Sequence, residues 1–140
     1  MRLSEATQRV IELARKISDY YTVELPKWHP QYPVVGQDEP TAPPPPEEVK
    51  LKDFLDSLPA EVVYQILAIM DLGREDIDAA ELTGNYETLK EQYGDPQDAA
   101  ALMLSNAALA DQLTDGLAEL QRRQISVDRL PSKKAGVRKR

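Results

Sequence analysis

The sequence predicts an all-α protein: a small helical bundle carrying an N-terminal helix, an extended Pro/aromatic strap and a disordered basic C-terminal tail. Three observations predict it. Apolar residues recur at spacings of three and four through most of the chain. No stretch of useful length alternates apolar and polar residues, and no repeat of fixed period is present. Gly and Pro fall between the apolar runs, where helices stop and start.

The first helix spans residues 4–21. Ser4 is placed to cap it, and Glu5 sits well near the positive end of the helix dipole. Leu3, Ala6, Val10, Leu13, Ile17 and Tyr20 form a stripe close to period 3.5, as in a coiled-coil seam, and Ile11, Ala14 and Tyr21 widen it. Such a stripe has two uses. It packs on its own domain, or it pairs with another copy. Val10, Leu13 and Ile17 are the candidate contacts for the second use.

Residues 22–50 are not expected to form regular helix. Pro26, Pro30, Pro33, Pro40 and the run 43–46 remove donors and push each preceding residue toward extended geometry. The first part, residues 25–35, is rich in large apolar groups. Trp28 and Tyr32, with Tyr20 and Tyr21, are half of the chain's aromatics (one Trp, six Tyr, one Phe). A segment this apolar predicts a strap lying on a helical surface, with Trp28 and Tyr32 as partner-binding candidates. Residues 36–48 are polar and Pro-rich, which fits a polyproline-like spacer better than a Pro-x-x-Pro ligand.

The main bundle is read over residues 51–123. Leu51, Phe54, Leu55 and Leu58 suggest a short helix, and Ser57 before Pro59 and Glu61 suggests a new start. Residues 59–72 form the strongest helix. Val62, Val63, Ile66, Leu67, Ile69 and Met70 cover over half its circumference, which predicts a central position. Gly73 is expected to stop it in a left-handed conformation. Leu82, Tyr86, Leu89 and Tyr93 mark the next helix, ended by Gly94. Asp95-Pro96 supplies a cap and a first-turn Pro for another. Asn106 is placed to cap the last, whose stripe is Leu109, Leu113, Leu117 and Leu120. Gly116 lies inside that helix at a cost of about 1 kcal/mol relative to Ala, which signals close helix contact or a bend. The domain reading is therefore 1–21 helix, 22–50 strap and linker, 51–123 bundle and 124–140 basic tail.

The stretch Ile66-Leu-Ala-Ile-Met-Asp-Leu-Gly-Arg-Glu-Asp76, then a Tyr/Leu helix, then an Ala/Leu helix leading to Leu113-Thr-Asp-Gly-Leu117, resembles a small bacterial family called domain of unknown function 3775. The resemblance covers about residues 51–123. It implies a helical bacterial domain and no particular activity. It draws attention to the turn at Gly73, Arg74 and Asp76.

Charge is split along the chain. Residues 1–121 carry 9 Lys/Arg and 23 Asp/Glu, a net of −14, while residues 122–140 carry 8 Lys/Arg and only Asp128, a net of +7. The absence of Cys excludes thiolate chemistry, and one His makes a structural zinc site untenable. The six Gly are scattered and form no phosphate-cradling loop. No Gly-x-Ser-x-Gly elbow occurs, and His29, between Trp28 and Pro30, has no oriented partner in view. The acidic stretch 71–81 fails as a calcium loop, because Gly73, Asp76 and Leu82 occupy positions that need an oxygen, a Gly and a Glu. Its carboxylates are expected to cap the next helix or face solvent, with Arg74 paired nearby. No catalytic, cofactor or metal site is therefore expected.

No apolar run reaches the ~18 residues that span a membrane, and Glu5, Arg9 and Glu12 interrupt any signal core. A cytoplasmic protein is expected. Two functions remain in view. The first is a non-enzymatic protein-interaction module, with a protein partner or a second copy (a homodimer). The alternative is nucleic-acid association through Lys133, Lys134, Arg138, Lys139 and Arg140, extended by Arg122, Arg123 and Arg129. That tail has no aromatic residue for base stacking.

Overall fold

A computed structural model of the chain describes residues 2–24 and 45–130. The fold is all-α. Among the described residues there are six α-helices and no strand. They are α1 (Leu3–Asp19), α2 (Pro46–Ser57), α3 (Ala60–Gly73), α4 (Leu82–Gln92), α5 (Pro96–Leu104) and α6 (Leu109–Arg122). Short 3₁₀ turns lie at Ala79–Glu81 and Val127–Arg129, and a π-helical turn, Tyr20–Glu24, continues α1. None of these helices is long and apolar enough to cross a membrane.

α3 occupies the centre, as its composition requires. Residues Val63 to Met70 are all buried, and Ile66, Ile69 and Met70 have no solvent exposure. α6 lies along it, with α4, α5 and α1 around the pair. α2 bridges α1 and α5. The stripe on α1 faces inward: Leu3, Ala6, Val10 and Leu13 join Leu51, Leu55, Leu113 and Leu120 in one hydrophobic core. Helices 1 and 3 therefore share a core, so the N-terminal helix is an integral wall of the bundle.

Several local starts and stops differ from the sequence-based expectation. Ser4 does not cap α1. It lies inside the first turn, and Glu5 Oε1 instead accepts from the Arg2 N–H at 2.8 Å. α2 begins within the Pro run, at Pro46, and not near Leu51. Pro45 is extended and Pro46 takes the first helical position, where a missing N–H costs nothing; Glu47 and Glu48 follow in the first turn. Ser57 ends α2 and does not start α3: its hydroxyl donates to the Phe54 carbonyl at 2.7 Å.

Gly73 does not end α3 by adopting a left-handed conformation. No described Gly has positive φ; that geometry falls on Glu75, at φ 66°. Gly73 is there for space. A Cβ at this position would lie 1.7 Å from the Gln112 carbonyl oxygen, and one on Gly116 would lie 2.2 Å from the Ile69 carbonyl oxygen. α3 and α6 thus meet backbone to backbone, as the Gly inside α6 suggested.

Other expectations match. Asp95 caps α5 by accepting from the Gln97 N–H at 2.9 Å, with Pro96 at the first helical position. Leu82, Tyr86 and Leu89 are buried on α4, and Tyr93 is half-buried. Asn106, by contrast, does not cap α6: Ala108 holds that position without a side-chain cap, and Asn106 Oδ1 accepts from the Ala108 N–H at 3.0 Å in the turn before it.

The segment after Gln124 is not uniformly without structure. Residues 125–130 return to the bundle, and Ile125, Val127 and Leu130 pack against its core. The sequence carries no helical or strand period there, so only the tertiary contacts order it.

Candidate functional site

A concavity lies beside the turn at the end of α3. It has a volume of about 680 Å³ and runs between residues 72–81 and the C-terminal half of α6. The turn is built by its own carboxylates. Glu75, in the left-handed region, reverses the chain, and its N–H donates to the Leu72 carbonyl at 3.1 Å. Arg74 Nε lies 3.2 Å from Asp76 Oδ2, with both side chains about half exposed. Asp78 and Glu81 form a reciprocal cap: Asp78 Oδ1 accepts from the Glu81 N–H at 3.1 Å, and Glu81 Oε1 accepts from the Asp78 N–H at 2.9 Å. These are the capping and pairing roles that the sequence assigns to this stretch.

α6 supplies the opposite wall. Asp115, Ala118, Glu119 and Arg122 lie at spacings of three and four, on one edge of the helix. Leu72, Ile77 and Ala118 add apolar surface. Glu75, Asp76, Asp78, Glu81, Asp115 and Glu119 contribute six carboxylates, against Arg122 as the cation of the lining. Glu119 is ion-paired to both Arg122 and Arg123, the latter at 2.9 Å. Behind the turn, Asn85 Nδ2 donates to Asp71 Oδ2 at 3.1 Å. Burial raises the Asp71 carboxyl above its ordinary value, against the opposing pull of the Asn85 hydrogen bond. Among the described residues, no three His, Cys, Asp or Glu converge as ions need. The groove presents a field, with no converging ligand set and no nucleophile beside a base.

Residues 48–121 match the family model described as Protein of unknown function (DUF3775). The chain belongs to this family. The DUF3775 match spans α2 to α6 and takes in both walls of the groove except Arg122. α1 and residues 125–130 lie outside it. No curated protein and no solved structure gives a match.

The sequence-derived candidates are distributed unevenly around the DUF3775 bundle. Val10 and Leu13 are buried at 0% and 1% exposure, and Ile17 is half-buried. Their stripe is taken up by contacts within the chain. Trp28, Tyr32 and His29 lie outside the described residues, as do Lys133, Lys134, Arg138, Lys139 and Arg140. Sequence reasoning singled out Gly73, Arg74 and Asp76 but missed Asp115 and Glu119 across from them. Their spacing of four on the polar edge of α6 was visible. What they face depends on the α3–α6 crossing, which no local pattern encodes.

Proposed function

We propose that this DUF3775 protein is a non-enzymatic interaction module that receives a Lys/Arg-rich segment of a protein partner in the groove beside the Gly73–Glu81 turn. One observation carries this reading: six carboxylates line a single concavity, and Arg74, Arg122 and Arg123 pair with only two of them, Asp76 and Glu119. The net charge of −14 over residues 1–121 adds a long-range field that steers cations toward it. Leu72, Ile77 and Ala118 suit the aliphatic stems of Lys and Arg. A second copy of the chain qualifies as such a partner, since residues 122–140 carry 8 Lys/Arg against Asp128 alone. Nucleic acid is the weaker reading. Arg122 and Arg123, which would extend its patch, both pair with Glu119.

The test is a fluorescence-anisotropy titration of a labelled Lys/Arg-rich peptide against the full chain at low and high salt. Binding should weaken with salt and weaken several-fold further in Asp76→Asn and Asp115→Asn. Equal affinity for wild type and both variants, or no binding at low salt, rejects the groove as the docking site.

A further inference from the structure

After α6 the chain reverses at Gln124, whose φ of 60° places a non-Gly residue in the left-handed region. The Ile125 N–H donates to the Leu120 carbonyl at 2.9 Å, fixing the reversal. Residues 125–130 then reach the N-terminus of α1. There the Val127–Arg129 turn sets Asp128 over the first turn of that helix. Asp128 Oδ1 accepts from the Ser4 N–H at 2.8 Å, and Oδ2 accepts from the Ser4 hydroxyl at 3.0 Å. A guanidinium nitrogen of Arg2 lies 4.0 Å from Oδ2.

A helix N-terminus is ordinarily capped by a Ser, Thr, Asp or Asn just before it. Arg2 occupies that position and has no side-chain oxygen to offer. The missing acceptor comes from a residue 124 positions away. A second polar tie closes the far end: Gln65 Nε2, on α3, donates to the Leu130 carbonyl at 3.2 Å. The apolar residues of this segment, Ile125, Val127 and Leu130, are only half-buried. α6, by contrast, buries Leu109, Leu113 and Leu120 almost completely. Segments with few buried apolar contacts open locally, below the free energy of global unfolding.

We propose that residues 125–130 are a detachable clasp that opens and closes on an intact bundle, with Asp128 as its catch on Ser4. Opening removes the cap from α1 and uncovers the first turn around Leu3. Closed, the clasp lies against α1 and α3 through Asp128 and Leu130. The Ser4 backbone N–H is the main reason the Asp128 carboxyl sits below its ordinary value, with the Ser4 hydroxyl and Arg2 acting in the same sense. The catch is thus charged at neutral pH.

Limited trypsin digestion of the full chain tests this, with mass spectrometry following cleavage after Arg123 and Arg129. Asp128→Ala should raise both rates roughly tenfold, because cleavage through a fast local opening follows the open population. Asp56→Ala removes the same charge from an exposed pair with Lys52 on α2 and should leave both rates unchanged. In wild type, the two rates should stay flat as urea is raised below the unfolding midpoint, the signature of an opening that exposes little surface. Three results would overturn the proposal: no acceleration in Asp128→Ala, equal acceleration in Asp56→Ala, or rates that climb with urea as steeply as global unfolding.

Discussion

The bundle joins its helices in two opposite ways. α1 is attached by what its stripe contains: Ala6, Val10 and Leu13 fill the space toward α2 and α6. α3 and α6 are attached by what their crossing lacks. At Gly73 and Gly116 the absent side chains let each helix press on the other's carbonyl oxygens. The first contact is a matter of apolar area, which tolerates rearrangement at a graded cost. The second is a matter of clearance between two backbones, which have no rotamers to change. Intrinsic propensity favours Ala over Gly inside a helix by about 1 kcal/mol. At Gly116 the tertiary contact reverses that preference.

The largest effects should therefore come from the smallest substitutions. Gly116→Ala and Gly73→Ala place a Cβ 2.2 Å and 1.7 Å from a carbonyl oxygen, distances at which the helices must move apart. Each should destabilise by ~3 kcal/mol or more, at or beyond the upper end of ordinary overpacking. Thermal unfolding followed by far-UV circular dichroism measures it. If either variant melts like wild type, the two kinds of contact are not different in kind.

Leu13→Ala sharpens the other side of the comparison. Leu13 is 1% exposed, so its truncation should cost about 2–5 kcal/mol, the usual range for a buried Leu. Urea unfolding provides the value. A loss under about 1 kcal/mol would mean that α1 rests on the bundle without being part of its core.

The smallest effect is expected beside the seam, at Asp71, whose carboxyl is raised chiefly by burial. An acid with a raised folded-state pKa binds its proton more tightly when folded. Its contribution to stability is full below the ordinary carboxylate range and is lost as pH rises through the raised value. Asp71→Asn keeps an acceptor for Asn85 and removes this loss. It should flatten the pH dependence of stability above the ordinary range and stabilise at neutral pH by less than about 1 kcal/mol after solvent screening. Urea midpoints at several pH values resolve it. An unchanged pH profile would show that this carboxyl is not desolvated.

What could be read from the sequence was whatever local chemistry decides. Apolar density placed α3 in the centre, Asp95-Pro96 placed the start of α5, and the Leu109–Leu120 stripe placed α6. Gly116 signalled a close contact. Gly73 was misread because a Gly at the end of an apolar helix usually serves the turn, and here Glu75 takes that role. The start of α2 was missed because a Pro run suppresses helix at every position except the first. Half of the groove was legible, as the acidic turn after α3. The other half, Asp115 and Glu119, faces it only because two helices cross where they do. The Ser4–Asp128 contact was illegible for a stronger reason: its partners are 124 residues apart, and the local signal at Ser4 points to a helix cap instead.

That last contact has a topological consequence. Arg2 and Asp128 come within 4.0 Å, so the described fold begins and finishes at one place on its surface. A body of this kind resembles a loop drawn closed with a string. Spliced between two neighbouring residues of a host protein, residues 2–130 would enter and leave through a single gap, with little strain on either partner.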